Sequence, residues 1–574
     1  MTTATVLDVE LARSRLSATV GELTHLLYRS AYSTLMRESR DCSFSLLSHR
    51  GEVLVDRPGP FHGSSYHYLV ARVLDRFGDS IAPGDVFMTN HPYDSGIPHT
   101  PDLALVIPSF LGDRLVGFSA SIAHKSDFGG AVIGSASMEA TQLYQEGLLL
   151  PLVRVATAER PELDPGVLAI IAGNVRTADL FFGDMRAQLG VTRLGAERLA
   201  ALAERTGVDV LQDCFSAMVD QGEQAVRSAV SAWPDGQVTV TGYIDSDGIN
   251  RDVPVKLEVT VTIEGDRIVF DLTGCADQTT GPINMTRMFG DSAVFYTMVS
   301  CATPDFGFND GIRRAVEIRR RPGSLLDPRF PAPVGAATSH QHRLIDLCFE
   351  ALGILVPGIG GAHSGGSGGT IGIEWHASGH RSFQYEVLGT AMGAVHDRDG
   401  VDGVTVYGTN LTITPVEVLE NQYPVRITRF ELIQDSGGAG RFRGGMSYRR
   451  EYEALEPASV RRRAERGKFP SHGVNGGHHG KVAKVTIRHP DGTVEQVPVA
   501  GRYDLEPHDV LTIEGSGAGG FGDPRGRPAE LVLADVRAGL VSIGSAAADY
   551  GVVITEQFEI DKEATGTARG GDLA

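Results

Sequence analysis

The stretch DVFMTNHPYDSGIPHTPDLALVIPSFLGDRLVGFSASIAHKSD, residues 85–127, decides the fold of the N-terminal part of this chain. Residues 103–110 and 114–124 are rich in apolar and β-branched side chains, and the short segment Leu111-Gly112-Asp113 separates them. Glycine at the first central position of a two-residue connection is typical of a tight hairpin turn. The sequence therefore predicts two long antiparallel strands that meet at this turn.

The hairpin brings chemically useful side chains to one end. Paired residues of an antiparallel hairpin have a constant sum of residue numbers, here about 225 for a turn centred on Gly112-Asp113. That sum places His124 opposite Pro101 and beside Asp102. His99 lies three residues before Asp102, in a loop whose backbone is stiffened by flanking prolines. His99, Asp102 and His124 are therefore predicted to converge.

Imidazole and carboxylate groups in such a cluster point to a divalent metal ion. Zinc and manganese accept both ligand types, and sites with three or four protein ligands are common. An open coordination position would lower the pKa of a bound water toward about 7. Asp41, at the entrance of another early strand, is the candidate for a fourth ligand. A capping pair or a surface salt bridge is the alternative that the spacing leaves open.

The remaining pattern predicts a multidomain α+β protein. Helical spacing over residues 8–38 is followed by strands, then by a second helical block that ends near residue 234. Further helices are expected at 285–300 and 341–356, and short strands with glycine turns dominate beyond about 420. We predict an N-terminal domain of mixed β-hairpins and helices (1–233), a central α+β domain (234–420), a β-rich C-terminal domain (421–560) and a flexible tail (561–574).

Composition excludes several classes of protein. The chain has 574 residues and a net charge of −19, which argues against general binding to nucleic-acid phosphates. Its five cysteines form no CxxC pair, so neither a disulfide framework nor a thiolate zinc site is expected. No apolar run is long enough to span a membrane, and no secretory signal is recognisable. A cytoplasmic protein is the expectation.

Glycine is unusually frequent. The 70 glycines concentrate in clusters at 358–369, 435–445 and 515–524. The clusters have no fixed period, which excludes a collagen-like or solenoid repeat. None contains the GxxxxGK[ST] pattern of a nucleotide-binding loop. Tight turns and close backbone approaches are the expected reason for these glycines.

Ordered motifs along almost the whole chain, roughly residues 10–524, resemble the hydantoinase B/oxoprolinase family. This family supplies partner subunits of ATP-dependent hydantoinases, oxoprolinases, caprolactamase, and acetone and acetophenone carboxylases. The matching segments are RDCSFSLLSHRGEVLV (40–55), HGSS (62–65), PGDVFMTNHPYDSGIPHTPDLALV (83–106), AHKSDFGG (123–130), YQEGLLLP (144–151), DLTGCADQTTGPIN (271–284), GSLLDPRFPAPV (323–334), DGVDGV (399–404), NLTITPVEVLE (410–420) and DSGGAGRFRGG (435–445).

The resemblance implies a metal site in this chain, because Asp41, His99, Asp102 and His124 fall on the family's ligand-bearing motifs. It also implies a hydantoinase A-like ATPase subunit, which phosphorylates the amide or carbonyl oxygen of the substrate. The ATP would thus bind to the partner and the zinc or manganese to this chain. Two departures bear on the substrate: His91 replaces an acidic residue of the family's NDPY motif, and His124-Lys125 replaces a histidine pair.

Three functions follow from the resemblance and stay open at this point. The first is ATP-dependent hydrolysis of a cyclic amide such as a hydantoin, a lactam or oxoproline, with Asp127 or His91 as general base. The second is carboxylation of a ketone at the same metal. The third is a non-catalytic scaffold with a structural metal. Under each of them, His340, His342 and His363 are expected to be core or turn residues.

Overall fold

The computed structural model of the chain describes residues 4–57, 60–135, 137–377, 380–409 and 411–570. Its helices are α1 Val6–Ser30, α2 Thr34–Arg37, α3 Pro60–Phe77, α4 Pro92–Ser95, α5 Pro165–Ala172, α6 Ala178–Thr206, α7 Val208–Ser231, α8 Arg287–Ala302, α9 Gly311–Ala315, α10 Ala337–Leu355, α11 Val416–Gln422, α12 Ala529–Arg537, α13 Ile543–Ala548 and α14 Lys562–Arg569. Among these described helices, none combines the length and the apolar character needed to cross a lipid bilayer.

The strands form several sheets, which confirms the α+β class. They are β1 Cys42–Ser48, β2 Val53–Arg57, β3 Val86–Thr89, β4 Asp102–Leu111, β5 Arg114–His124, β6 Val153–Ala156, β7 Gly236–Ile244, β8 Val255–Glu264, β9 Arg267–Asp271, β10 Val316–Arg319, β11 Thr370–Ala377, β12 His380–Val387, β13 Val425–Leu432, β14 Tyr448–Ala454, β15 Ala458–Arg463, β16 Lys484–Arg488, β17 Val494–Val497, β18 Gly501–Leu505 and β19 Val510–Glu514.

The N-terminal sheet has the order β2-β1-β5-β4-β3-β6, with the predicted hairpin β4–β5 near its middle. Gly112 occupies the turn with a φ of 63°, a conformation that a side chain would disfavour. Helices α1 and α6 pack on the same sheet. The buried face of α1 includes Leu16, Val20, Leu23 and Leu27, at the three- and four-residue spacing of one helical stripe.

The register of the hairpin corrects the prediction by one residue. Next to the turn, Leu111 pairs with Arg114, as the predicted sum requires. A β-bulge between Ser109 and Phe110 then shifts the pairing, so that Asp102 lies directly opposite His124. A bulge inserts one extra residue on one strand and moves every later pair by one position. The prediction that His124 faces Pro101 is therefore wrong, and the true register brings the two polar side chains closer.

The central sheet has the order β10-β9-β8-β7, and α10 packs against β7 and β8. The largest hydrophobic core joins residues from both sides of the boundary predicted near 234, from Leu47 to Val356. Separate domains on the two sides of that boundary stay a prediction. In the stretch predicted as a flexible tail, Asp561 caps the N-terminus of α14 through the backbone N–H of Ala564. Residues 571–574 of that tail lie outside the described part of the chain.

The C-terminal half contains two further sheets, of order β12-β11-β15-β18 and β13-β14-β19-β16-β17. Beside them the three glycine clusters pack backbone against backbone. The N–H of Gly438 donates to Ala518 O, and the N–H of Gly519 donates to His363 O. A Cβ on Gly517 would lie 1.7 Å from Ser436 O, far inside van der Waals contact. Close backbone approach thus accounts for these clusters, as expected. We refer to them together as the glycine layer.

Candidate metal site

Strand pairing places three polar residues side by side at one end of the N-terminal sheet. β5 pairs with both of its neighbours: Asp102 on β4 lies opposite His124, and Cys42 on β1 lies opposite Ala123. Asp41 immediately precedes β1, and its carbonyl accepts a hydrogen bond of 3.1 Å from the N–H of His124. Asp41, His124 and Asp102 therefore stand in a row across three adjacent strands.

His99 completes the cluster from the loop that enters β4. Its carbonyl accepts a 3.1 Å hydrogen bond from the N–H of Asp102, which closes a tight turn. Its Nε2 lies 3.3 Å from Asp102 Oδ2, and its ring centroid lies 5.0 Å from that of His124. One ligand atom from each of these three residues lies within 4.8 Å of the others. The three residues predicted to converge do so.

The donor set fits a divalent cation. Bonds of about 2.0–2.2 Å to a tetrahedral ion place neighbouring donor atoms about 3.3 Å apart, as His99 Nε2 and Asp102 Oδ2 are. His99 Nδ1, His124 Nδ1 and Asp102 Oδ2 are buried and have no hydrogen-bond partner. Buried polar atoms of this kind are costly unless something binds them. Asp41 lines the same cavity, although it does not belong to the tight group of three.

The electrostatics of the cluster also favour a cation. Burial raises the pKa of Asp41 to about 7, against the opposing charge of Arg463. Burial and then the charge of Asp41 raise the pKa of Asp102 well above its usual value. Burial lowers the pKa of His124 to about 3 and that of His99 well below 6.5. The imidazoles are thus neutral at pH 7, the form in which histidine binds metals, and a cation would relieve the repulsion between the carboxylates.

Distant segments enclose the cluster in a cavity of about 70 Å³. Arg463, at the end of β15, is 1% exposed; it donates from Nε to Thr370 Oγ1 (2.9 Å) and from Nη2 to Tyr385 OH (2.6 Å). The third bond of its guanidinium goes to the carbonyl of Gly335. A fixed positive charge therefore faces the cluster of ligands.

Two histidines that the sequence did not assign to the site also line this cavity. His62 on α3 is bonded through Nδ1 to Ser43 Oγ at 2.8 Å. His342 on α10 was expected to be a core residue; it is buried, yet neither of its ring nitrogens has a hydrogen-bond partner. Burial lowers the pKa of each ring to about 4, so both are neutral at pH 7. The HGSS motif was the only sequence signal for His62.

The structure does not bring the two predicted general bases into the cavity. Asp127 is fully buried against Arg176, with its Oδ1 3.0 Å from Nη1 and its Oδ2 accepting the backbone N–H at 2.7 Å. His91 caps α4, where its Nδ1 accepts the N–H of Asp94 at 3.1 Å. Both groups have local structural partners, and neither lines the cavity.

Lys125, the second departure from the family's motifs, is turned away from the cluster. Its Nζ is buried and donates to Gln188 Oε1 at 2.9 Å. Burial lowers the pKa of this ammonium group to about 8. Lys125 therefore belongs to the core behind the cluster of His99, Asp102 and His124.

Comparison with known proteins places these residues in a family. The profile of the hydantoinase B/oxoprolinase family matches residues 6–524. The chain belongs to this family. A protein of Pseudomonas sp. (strain NS671), provisionally named as one subunit of a D-/L-hydantoinase, is 30% identical over 589 residues, which cover 98% of each chain. The beta chain of caprolactamase from Pseudomonas jessenii is 30% identical over 581 residues, covering 98% of this chain and 99% of that one.

Two solved structures share the fold. The crystal structure of the ATP-dependent caprolactamase from Pseudomonas jessenii superposes with a TM-score of 0.92 and 28% identity, over 99% of this chain and 100% of that chain. The nucleotide-free structure of an acetone carboxylase superposes with a TM-score of 0.88 over 98% and 82% of the two chains. At 18% identity this second match concerns the fold alone. The family resemblance and the α+β architecture are thus confirmed.

Proposed function

We propose that this chain is the metal-binding subunit of an ATP-dependent cyclic amidohydrolase that opens a hydantoin, lactam or oxoproline ring. The observation that carries the proposal is the buried cluster of His99, Asp102 and His124 inside one cavity with Asp41 and Arg463. The relatives named as a hydantoinase subunit and a caprolactamase subunit support the substrate class.

His99, Asp102 and His124 would hold the metal, with Asp41 as the fourth ligand. A zinc or manganese ion there supplies Lewis acidity and makes water a nucleophile near neutral pH. The protein contributes the geometry. Asp102 and His124 are fixed by the β4–β5 ladder, and His99 is fixed by its turn onto Asp102. Because ladder and turn hold the backbone of all three, little reorganisation is needed when a substrate binds.

Arg463 is the residue that we assign to the activated substrate. Amide resonance makes direct hydrolysis slow, and phosphorylation of the amide oxygen removes this resonance and creates a leaving group. The phosphorylated species carries negative charge, which a buried guanidinium can stabilise. Tyr385 and Thr370 hold the guanidinium in place through its Nη2 and Nε. Its role would be to position and stabilise the phosphoryl group.

His342 takes the place of Asp127 and His91 as the candidate for contact with the reacting ring. A neutral imidazole has one N–H and one lone pair. A cyclic amide also carries a donor and an acceptor, its N–H and its carbonyl. Because the two nitrogens of an imidazole point in diverging directions, a bound ring would pair with one of the two unpartnered nitrogens of His342 in the cavity wall. His342 would orient the ring, and its lone pair can accept a proton.

The ATP would be held by a hydantoinase A-like partner subunit, in a hetero-oligomeric complex that we place in the cytoplasm. Two observations support a partner. The chain has no GxxxxGK[ST] motif. The two Pseudomonas relatives, which match along nearly their whole length, are each named as one component of a larger enzyme. The partner would phosphorylate the oxygen, and this chain would complete the ring opening.

The proposal is tested by co-expression with the ATPase subunit and measurement of phosphate release. Lactams, hydantoins, 5-oxoproline and ketones are each offered with and without bicarbonate. We expect release with a cyclic amide, independent of bicarbonate. His99→Ala and His124→Ala should each lower turnover by more than about 100-fold and remove one equivalent of metal, because a ligand is lost. The exposed His508→Ala is the matched control.

The other two functions are distinct outcomes of this experiment. Bicarbonate-dependent turnover of a ketone would establish the carboxylase and overturn the hydrolase; the acetone carboxylase shares the fold. Loss of subunit assembly when the metal is removed beforehand, together with full activity when it is removed from complexes already assembled, would establish a structural metal. Unchanged metal content in both histidine variants would overturn the ligand assignment itself.

A further inference from the structure

A second group of metal-ligand side chains lies in the described part of the molecule, away from the cavity of the first. It consists of Glu350 on α10, His363 in the glycine layer and His472 in the loop after β15. None of the three lines the cavity around the first cluster. We propose that Glu350, His363 and His472 form a second divalent-cation site, whose preferred ion is zinc. This inference does not depend on the proposed function.

The distances between the donor atoms of Glu350, His363 and His472 are the first evidence for a metal site. Glu350 Oε2 lies 2.7 Å from His363 Nε2 and 3.8 Å from His472 Nδ1. These values bracket the separation of about 3.3 Å that a tetrahedral ion with bonds of 2.0–2.2 Å imposes. The rings of His363 and His472 are stacked, with centroids 4.5 Å apart and planes 17° from parallel. Shifts of about half an ångström would place all three donors on one ion.

The backbone holds two of the ligands together independently of any ion. The N–H of His363 donates to His472 O at 2.9 Å, and the carbonyl of His363 accepts from the N–H of Gly519 at 2.8 Å. A Cβ on Gly519 would lie 2.0 Å from His472 O, so this glycine makes the close approach possible. The site is therefore preorganised by the glycine layer, and Glu350 is delivered to it by a helix.

The hydrogen bonds around the rings distinguish ligands from neighbours. His479 lies next to His472, with ring centroids 5.2 Å apart. Its Nδ1 accepts the N–H of Gly473 at 3.0 Å, so the proton of the neutral ring is on Nε2 and that nitrogen cannot bind a metal. His363 is fully buried and nothing bonds to its Nδ1, which can carry the proton of the neutral ring and leave Nε2 as the ligand atom. His479 is thus a neighbour and not a ligand.

The site is accessible and has room for one more ligand. The side chains of Glu350 and His472 are 22% and 32% exposed, while His363 is buried. A site with two histidines and one carboxylate suits zinc and leaves one position for water. The ion would join α10, the 358–369 cluster and the loop after β15, which are far apart in sequence. The ion is therefore expected to link α10 to the glycine layer.

The test measures zinc per chain after loading the chelated full-length protein with zinc chloride and desalting it. Wild type and His479→Ala should retain two equivalents of zinc, and His99→Ala and His472→Ala should retain one each. The double variant, which combines His99→Ala with His472→Ala, should retain none. If His472→Ala retains as much zinc as the wild type, the second site does not exist. If His99→Ala retains two equivalents while His472→Ala loses one, the second site stands and the first ligand assignment falls. Circular dichroism verifies that each variant is folded.

A second measurement identifies the ligand directly. In the His99→Ala background, His472→Cys would place a thiolate on the ion, and cobalt(II) would then show a sulfur-to-metal charge-transfer band. His479→Cys in the same background should show none, because that side chain is not a ligand. Absence of the band from the His472→Cys protein, or an equal band from the His479→Cys protein, overturns the proposal. Zinc should also raise the melting temperature of His99→Ala and leave that of the double variant unchanged.

Discussion

The two clusters of metal-ligand side chains differ in how the chain assembles them. His99, Asp102 and His124 come from one hairpin and the loop that enters it, and a ladder of backbone hydrogen bonds fixes their register. Glu350, His363 and His472 come from a helix, a glycine segment and a distant loop. The first cluster is enclosed with a buried arginine, whereas two members of the second are partly exposed. This contrast fits our two proposals, a reaction site for the first cluster and a site that joins segments for the second.

Substitution of Arg463 is expected to have the largest effect among the changes that distinguish the two clusters. If the first cavity is the reaction site, Arg463→Lys should lower turnover by about 10- to 100-fold, because an ammonium group cannot make the three fixed bonds of the guanidinium. Metal content should stay the same. Steady-state phosphate release by the complex measures the change.

Arg461→Lys, on the same strand, is the matched control, because Arg461 is partly exposed and pairs with Glu374 at 3.9 Å. We expect less than about a 2-fold change there, as is usual for a solvated ion pair. Equal losses in both variants would mean that β15 tolerates no change, and the assignment of Arg463 to the substrate would be withdrawn.

The pH dependence of metal affinity gives an intermediate effect. Burial raises the pKa of Asp41 to about 7, so below pH 7 a proton competes with the metal for this carboxylate. Between pH 6 and pH 8 the ionised fraction of Asp41 rises about 10-fold, and zinc affinity at the first cluster should rise by at least this factor, because the pKa of Asp102 is raised as well. Burial opposes the ionisation of Glu350, but hydrogen bonds from His363 and His472 outweigh it and lower the pKa of this carboxyl, which is ionised throughout this range.

Competition with a chromophoric chelator measures both affinities, with His472→Ala reporting the first cluster and His99→Ala the second. We expect zinc affinity to rise more steeply with pH in His472→Ala than in His99→Ala. If zinc affinity rises more steeply with pH in His99→Ala, then Asp41 is not a ligand. The second cluster, and not the first, would then be the more pH-dependent of the two.

The hairpin turn gives the smallest effect. Gly112 has a φ of 63° but open space around its Cβ position, so Gly112→Ala meets a backbone penalty without a clash. The free energy of unfolding should fall by about 1 kcal/mol, and Gly112→Asn should cost less because asparagine tolerates this conformation. Chemical denaturation measures the change. Loss of zinc from either folded variant would mean that the positions of the first cluster's side chains depend on the turn and not on the ladder of backbone hydrogen bonds.

The sequence predicted the part of the site that depends on local geometry. Asp102 and His124 meet because a tight turn sets their strands in register, and the error of one residue came from a bulge with no recognisable signal. The placement of Asp41 depends on the pairing of β1 with β5, between strands about 70 residues apart. Asp127 lies outside the cavity, where its carboxylate is bound by Arg176, a residue outside the motif.

The remaining residues of the cavity could not be predicted because their positions depend on packing between distant segments. His342 was expected to be a core residue, since a histidine on the buried face of an apolar helix usually is one. Arg463 has no local signal, as the sequence RRR at the end of β15 does not show which of the three side chains points inward. The general α+β pattern was predictable because hydrophobic periodicity is a local property.

The participation of Arg463 in the cavity has a consequence for synthesis on the ribosome. His99, Asp102 and His124 emerge early, and the hairpin that aligns them can form as soon as β5 has been translated. Arg463 follows roughly 340 residues after His124. An interrupted chain would therefore carry all the proposed ligands of the first cluster without the charge that we assign to the substrate. Long-range contacts of this kind also slow folding, so the pocket is among the last parts of the protein to mature.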